Sequence, residues 1–287
     1  MNQLFRITDN EIHIDSLTLE ATIDCAKNCG GCYLKAHRLQ GPVVNWSDWL
    51  SLLDTFMLKD ITGYSCNQIS ISINEKQNDV SFKTISAFLY YLNFLKPEER
   101  TDTKVHLTMF SPSTIKQYIF PYLDLDMAIK LFSNVDSIYF SNILTDEDLD
   151  VINALRAQNK NLKIGWNATA GISISKRNIL EDSRFNGIYQ VINKSESKPI
   201  FSFAGEPKKI QQDVCLTDYN NWKQTGKPTC PANISKFTIW PDGSVSGCPY
   251  AKTSNTGPAQ TVNGILANIV EASKFYDFDR CPMKGLY

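Results

Sequence analysis

Cys25, Cys29 and Cys32 stand in the stretch Ile23-Asp24-Cys25-Ala26-Lys27-Asn28-Cys29-Gly30-Gly31-Cys32-Tyr33-Leu34, with gaps of three and two residues. Three thiolates at this spacing can bind three irons of a cubane and leave the fourth iron open. An electron-transfer cluster normally has every iron ligated by the protein, so an open iron is a place for a substrate or cofactor. The competing chemistry is a zinc site, which asks for a fourth Cys or His close by or a paired second half. His37, five residues past Cys32, is the nearest histidine.

A second set begins at Cys230. Cys230-Pro231-Ala232-Asn233 leads into Lys236-Phe237-Thr238-Ile239-Trp240, then Pro241-Asp242-Gly243, then Ser244 to Cys248. Two short strands joined at Pro-Asp-Gly read as a β-hairpin whose open end brings Cys230 and Cys248 near each other. Cys281 follows the segment Ile265 to Phe278, and Cys215 lies fifteen residues before Cys230. The set suits an iron–sulfur cluster or a zinc clip. Cys66 reads as a small buried hydrophobe. His13, His37 and His106 are scattered and suggest no histidine-based nucleophilic machinery.

The elements that must position these groups follow an α/β rhythm with parallel strands. Strands are expected at Ser16–Asp24, Gln68–Asn74, Lys104–Phe110, Asp136–Ile143, Leu162–Thr169, Gly187–Asn193 and Ile200–Phe203. Helices are expected at Trp46–Leu58 behind an Asn45 cap, Phe82–Leu95, Asp126–Phe132, Thr145–Gln158 with Thr145 as cap, and Ser175–Phe185. That is five or six β/α steps before residue 205. In such folds functional groups collect at the C-terminal ends of the strands, and the first cysteine loop falls just past the first one.

Composition narrows the class. A chain of 287 residues with 43% hydrophobic content suits a barrel-like domain with a small appendage. A formal charge of −1 gives no reason to expect nucleic acid or an anionic membrane as partner. No apolar run approaches the ~20 residues that span a bilayer, and Ile85–Leu95 reads as a core helix. No secretory segment is visible. Eight cysteines then point to metal or redox chemistry in a reducing, cytoplasmic compartment rather than to disulfides.

The cysteine triad resembles the signature of the radical S-adenosylmethionine (radical SAM) family. The resemblance implies a partial (β/α)6 barrel over residues 1–212 and a [4Fe–4S] cluster on Cys25, Cys29 and Cys32. The open iron of that cluster chelates S-adenosylmethionine. Gly31 stands where the family commonly has an aromatic residue, and Tyr33 follows instead; a small residue still lets the backbone approach the adenine. The family's Gly-Gly-Glu turn after the second strand is matched in position by Asn74 and Glu75, without the glycines. Gly205-Glu206-Pro207 is nearer in letters but lies far beyond the second strand. Ser141 and Asn142 at the fourth strand end, and Asn167 with Thr169 at the fifth, would face the ribose or carboxylate.

The hairpin resembles the twitch or SPASM extension of the same family. Twelve residues separate Cys230 from Gly243 and four separate Gly243 from Cys248. The resemblance implies a small C-terminal hairpin and helix extension over 213–287, with one auxiliary [4Fe–4S] cluster on Cys230, Cys248 and Cys281 and with Cys215 as a candidate fourth ligand. The implied activity is reductive cleavage of S-adenosylmethionine to a 5′-deoxyadenosyl radical, hydrogen abstraction from a small-molecule substrate, and net oxidation. A flavodoxin or ferredoxin would supply electrons. The short segment before the first strand, about fifteen residues, argues against a built-in peptide-recognition domain. Modification of a peptide or protein side chain is the second reading, and a non-catalytic iron–sulfur scaffold or redox sensor the third.

Overall fold

The computed structural model describes residues 6–22, 37, 39–73, 79–115, 124–140, 145–168, 189–192, 210–212, 223–226, 230–249, 251 and 253–275. Among them are ten strands: β1 (Arg6–Thr8), β2 (Glu11–Leu19), β3 (Tyr64–Ile73), β4 (Lys104–Met109), β5 (Ser137–Phe140), β6 (Lys163–Ala168), β7 (Tyr189–Ile192), β8 (Ile210–Gln212), β9 (Lys236–Ile239) and β10 (Val245–Ser246). The helices among them are α1 (Trp46–Met57), α2 (Asp79–Phe94), α3 (Leu125–Lys130), α4 (Asp146–Gln158) and α5 (Val262–Ala272). The protein is thus mixed α/β. All ten strands share one sheet in the order β10-β9-β2-β3-β4-β5-β6-β7-β8, with β1 paired to β2 off this path. Strands β2 to β8 are parallel and follow chain order.

Strict alternation in the strands becomes two faces because side chains point to opposite sides at every second residue. Val245, Ile239, Leu19, Ile71, Leu107, Ile138 and Ile164 occupy one register row across seven strands, and each is at most 1% exposed. They join Trp49, Leu52, Phe56, Phe88, Leu89, Ile152 and Leu155 of the helices in one core. The neighbouring row on the other face is Ser246, Thr238, Thr18, Ser70, His106, Ser137 and Lys163. Fully covered parallel sheets usually read as continuous hydrophobic runs. Here the sheet keeps one polar face.

Helix starts follow the expected chemistry. Asn45 Oδ1 accepts from the backbone N–H groups of Ser47 (2.9 Å) and Asp48 (3.1 Å). Thr145 and Asp148 form a reciprocal capping box at α4. The second Asp148 oxygen accepts from Ser113 N–H at 3.0 Å, which ties the helix to the turn after β4.

Several expectations are corrected. The first long strand begins at Glu11 and stops at Leu19 rather than running from Ser16 to Asp24, and β1 precedes it. The reason is a phase break. Ile12 and Ile14 are buried, then Leu17 and Leu19, and the consecutive N–H groups of Asp15 and Ser16 both donate to Ser235 O. Successive N–H groups in a regular strand point opposite ways, so this local irregularity splits the alternation into two apparent pieces. Of the strand expected at Asp136–Ile143, Ser137–Phe140 is observed and residues 141–143 lie outside the described residues, and the segment after the hairpin contains α5, Val262–Ala272. The short strand β8 has no counterpart in the sequence reading. The expected strand at 200–203 and helix at 175–185 lie outside the described residues. No described helix is long and apolar enough to cross a membrane.

The hairpin turn depends on one glycine. Gly243 has φ +74°, and a Cβ there would sit 1.9 Å from Ala259 O. Gly243→Ala is expected to lower the unfolding free energy by about 1–3 kcal/mol from backbone strain alone, with the contact adding to it. A urea unfolding midpoint equal to that of the wild type would contradict this.

Candidate functional site

The C-terminal end of β2 is where the described chain stops before the first cysteine loop. Glu20 follows the strand and is fully buried. Its N–H donates to Ile239 O at 2.9 Å, and its Oε1 accepts from Ser72 Oγ at 2.9 Å. Ser72 opens the next row of the polar face, pairing in turn with Thr108, Tyr139, Gly165 and Tyr189. A Cβ at Gly165 would meet the Tyr139 ring at 2.3 Å, so glycine is what lets that ring approach strand β6. One row below, His106 Nδ1 is hydrogen-bonded to Ser137 Oγ, and burial lowers the His106 pKa. Thr18, Ser70, His106, Thr108 and Tyr139 are all half-buried. The face therefore offers hydroxyl and imidazole groups to a polar ligand and a carboxylate at its edge.

The chain leaving the cysteine loop returns against the hairpin. His37 stacks on Trp240 with ring centroids 3.4 Å apart and planes 5° apart. Gln40 N–H donates to Asp242 Oδ2 at 2.8 Å, and Val44 N–H to Pro241 O at 2.7 Å. Gln260 Nε2 donates to Pro42 O at 2.7 Å. Asp242 is fully buried; its other oxygen accepts from Ser244 N–H at 3.1 Å and Ser244 Oγ at 2.6 Å. The segment 37–44 is thus strapped to the turn of the hairpin by hydrogen bonds that include a buried, charge-assisted set. Burial lowers the His37 pKa, against the opposing effects of the Ala251 carbonyl and Asp242.

The hairpin forms where the sequence places it, and β9 lies parallel beside β2. A Cβ at Gly247 would meet Asn233 N at 2.4 Å. The residue before Cys248 therefore touches the turn three residues after Cys230. Both cysteines are half-buried and neither forms a disulfide. Trp240 Nε1 donates to Ser246 Oγ at 2.9 Å, and Ser246 Oγ donates to Cys248 O at 3.0 Å. No three His, Cys, Asp or Glu side chains among the described residues are gathered as for a metal ion. Cys66 is buried and hydrogen-bonded to Gln68 O at 2.9 Å, with its thiol pushed up to about 12 by burial, in keeping with an inert core position.

Cys25, Cys29, Gly31, Cys32, Tyr33, Asn74, Glu75, Ser141, Asn142, Thr169, Glu206, Cys215 and Cys281 lie outside the described residues. Asn167 lies in β6, where its backbone registers with Val191. Glu20, Ser72, Tyr139, Trp240 and Asp242 escaped the sequence reading as site residues. The alternation in β2 and β3 was the available signal for the first two. Nothing in the local sequence signals the contact between His37 and Trp240.

No family model matches the chain, and no curated protein matches it. Among solved structures, one match is described as native anSMEcpe with bound AdoMet and Cp18Cys peptide. The two are 12% identical, with a TM-score of 0.47 over 93% of this chain and 86% of that one.

Asp242→Ala removes the acceptor of three donors. An unsatisfied buried donor costs roughly 1–3 kcal/mol, so a loss of about 3 kcal/mol in unfolding free energy is expected. Limited proteolysis between residues 23 and 45 should quicken at the same time. Wild-type proteolysis in that segment would show that Asp242 does not hold the strap.

Proposed function

We propose that the chain is a radical SAM enzyme with one auxiliary iron–sulfur cluster. The observation that carries this reading is the position of the cysteine triad. Cys25 stands five residues past Glu20, beyond the C-terminal end of β2 in a parallel sheet whose strands β2 to β8 follow chain order. Loops at strand C-termini are where such sheets place their ligands.

In this reading residues 1–212 carry the S-adenosylmethionine site and 213–287 the auxiliary site. Cys25, Cys29 and Cys32 hold the first cluster. Held there and reduced, the cluster would supply the electron that cleaves S-adenosylmethionine to methionine and a 5′-deoxyadenosyl radical. Gly31 and Tyr33 border the adenine. Asn74 and Glu75 accept hydrogen bonds from the ammonium group, and Ser141, Asn142 and Asn167 hold the ribose or carboxylate. Cys230, Cys248 and Cys281 hold the auxiliary cluster, with Cys215 as a further candidate.

The polar face supports a substrate rich in hydroxyl or amino groups. Ser70, Ser72, His106, Thr108 and Tyr139 offer donors and acceptors in two adjacent rows, and the buried Glu20 closes one edge. The outcome we assign is net oxidation of a small polar substrate: the 5′-deoxyadenosyl radical would take one hydrogen atom, and the auxiliary cluster on Cys230, Cys248 and Cys281 would accept the remaining electron as a proton leaves, while a flavodoxin or ferredoxin would supply the electron that cleaves S-adenosylmethionine.

Three measurements test this. Anaerobically reconstituted protein is expected to hold about eight irons per chain and the triple variant Cys25→Ala/Cys29→Ala/Cys32→Ala about four; a colourless, zinc-loaded protein would end the assignment. Reduced wild type incubated with S-adenosylmethionine should release 5′-deoxyadenosine, and Cys29→Ala should release none. Glu75→Ala should weaken cofactor binding by about 1.5–3 kcal/mol, the worth of a hydrogen bond to a charged group, whereas Glu206→Ala should bind as wild type does. Equal binding by Glu75→Ala would displace the turn after β3 from the cofactor site.

A further inference from the structure

We propose that His37 is a pH-sensitive latch on the strap: while its ring is neutral the segment 37–44 stays docked on the hairpin turn, and protonation of the ring releases it. The inference goes beyond the proposed function and stands without any metal or cofactor at the hairpin.

The first observation is where the ring lies. His37 is 3% exposed and lies flat on Trp240, with ring centroids 3.4 Å apart. Trp240 is itself fully buried, and its Nε1 is tied to Ser246 Oγ. The imidazole is thus a buried anchor set against a fixed wall. The next holds along the strap are backbone N–H groups. Gln40 N–H donates to Asp242 Oδ2 and Val44 N–H to Pro241 O, both on the same hairpin turn.

The second observation is what the docked ring can accept. Nδ1 faces Ala251 O at 3.4 Å. A carbonyl oxygen only accepts, so Nδ1 carries the proton of the neutral ring. Nε2 is buried and has no hydrogen-bond partner among the described residues. A proton added there creates a buried cationic donor with no acceptor, which costs more than an unused lone pair. A ring released into water meets no such cost.

The third observation is the balance of charge. Among the described residues, Asp242 is the charged group that acts on His37, and its attraction favours the imidazolium. The Ala251 carbonyl acts in the same direction, and so does the face of Trp240. Asp242 is fully buried, and its two oxygens already serve Gln40 N–H, Ser244 N–H and Ser244 Oγ. Burial outweighs these attractions and holds the docked ring below the ordinary histidine pKa. The sign follows from linkage. Docking is at full strength above the released ring's pKa, about 6.5, and weakens as pH falls from there towards the docked ring's lower pKa. Release takes up one proton in that window, so the docking constant drops roughly tenfold for each pH unit.

The test is hydrogen–deuterium exchange of the full-length protein, read at the amides of residues 39–45 between about pH 5 and 8 and corrected for intrinsic exchange rates. Protection there is expected to fall roughly tenfold per unit below about pH 6.5, while protection in β4 and β5 holds. His37→Phe keeps a ring to stack on Trp240 and takes up no proton, so its strap should show no such fall. An independent measurement is the nitrogen NMR titration of 15N-labelled histidine. The chain has three histidines, and His13→Gln with His106→Gln leaves the His37 signal alone. That signal should show the proton on Nδ1 at neutral pH and titrate below the ordinary value. The same acid-induced loss of strap protection in His37→Phe as in the wild type overturns the proposal. So does a His37 pKa at or above about 6.5, and so does loss of protection in β4 and β5 in step with the strap, which is unfolding of the whole chain. If His37→Phe does not fold, the titration decides by itself.

Discussion

Register across the sheet is the constraint on which the rest depends. One apolar row runs from Val245 through Leu19 to Ile164, and the adjacent polar row runs from Ser246 through Thr18 to Lys163. A slip of one residue in any strand would exchange the two faces there, moving isoleucine or leucine out of the core and serine into it. The helices need the apolar row to bury Trp49, Phe56 and Phe88. The polar row exists because the apolar one is held in place. A polar face on the sheet is therefore a by-product of the same register that builds the core.

The hairpin extends this logic past the parallel strands. Strand β9 adds to the free side of β2, so Glu20 donates its N–H to Ile239 and Ser72 donates to its carboxylate. The strand that enters the first cysteine loop is thereby flanked on both sides. The segment that leaves the loop is strapped to the hairpin turn through His37, Gln40, Pro42 and Val44. Entry and exit of the loop are both braced by residues from the C-terminal quarter of the chain. Removing that quarter would uncover an edge of β2 and leave the buried donors of the strap without acceptors.

Local chemistry was the legible part. The Asn45 and Thr145 caps could be read because an N-cap acts on backbone N–H groups two or three residues away. The Pro-Asp-Gly turn could be read because Gly243 supplies the positive φ the chain needs there. The strand from Glu11 to Leu19 was read only in half, since its alternation changes phase where Asp15 and Ser16 share the Ser235 carbonyl. That carbonyl lies more than two hundred residues away, and no window along the chain contains it.

Residue types and spacing by themselves determined the α/β alternation, the helix starts at Asn45 and Thr145, the hairpin and the two cysteine sets as candidates for metal chemistry. Each depends on a period of two or 3.6 residues or on groups within one turn of each other. Tertiary structure alone decided that β9 joins β2, that Glu20 is enclosed beside Ser72, and that the ring of His37 lies on Trp240. Those contacts bring together residues separated by about fifty to two hundred positions, and at such separations partner choice is set by the packing of the whole sheet rather than by any local preference.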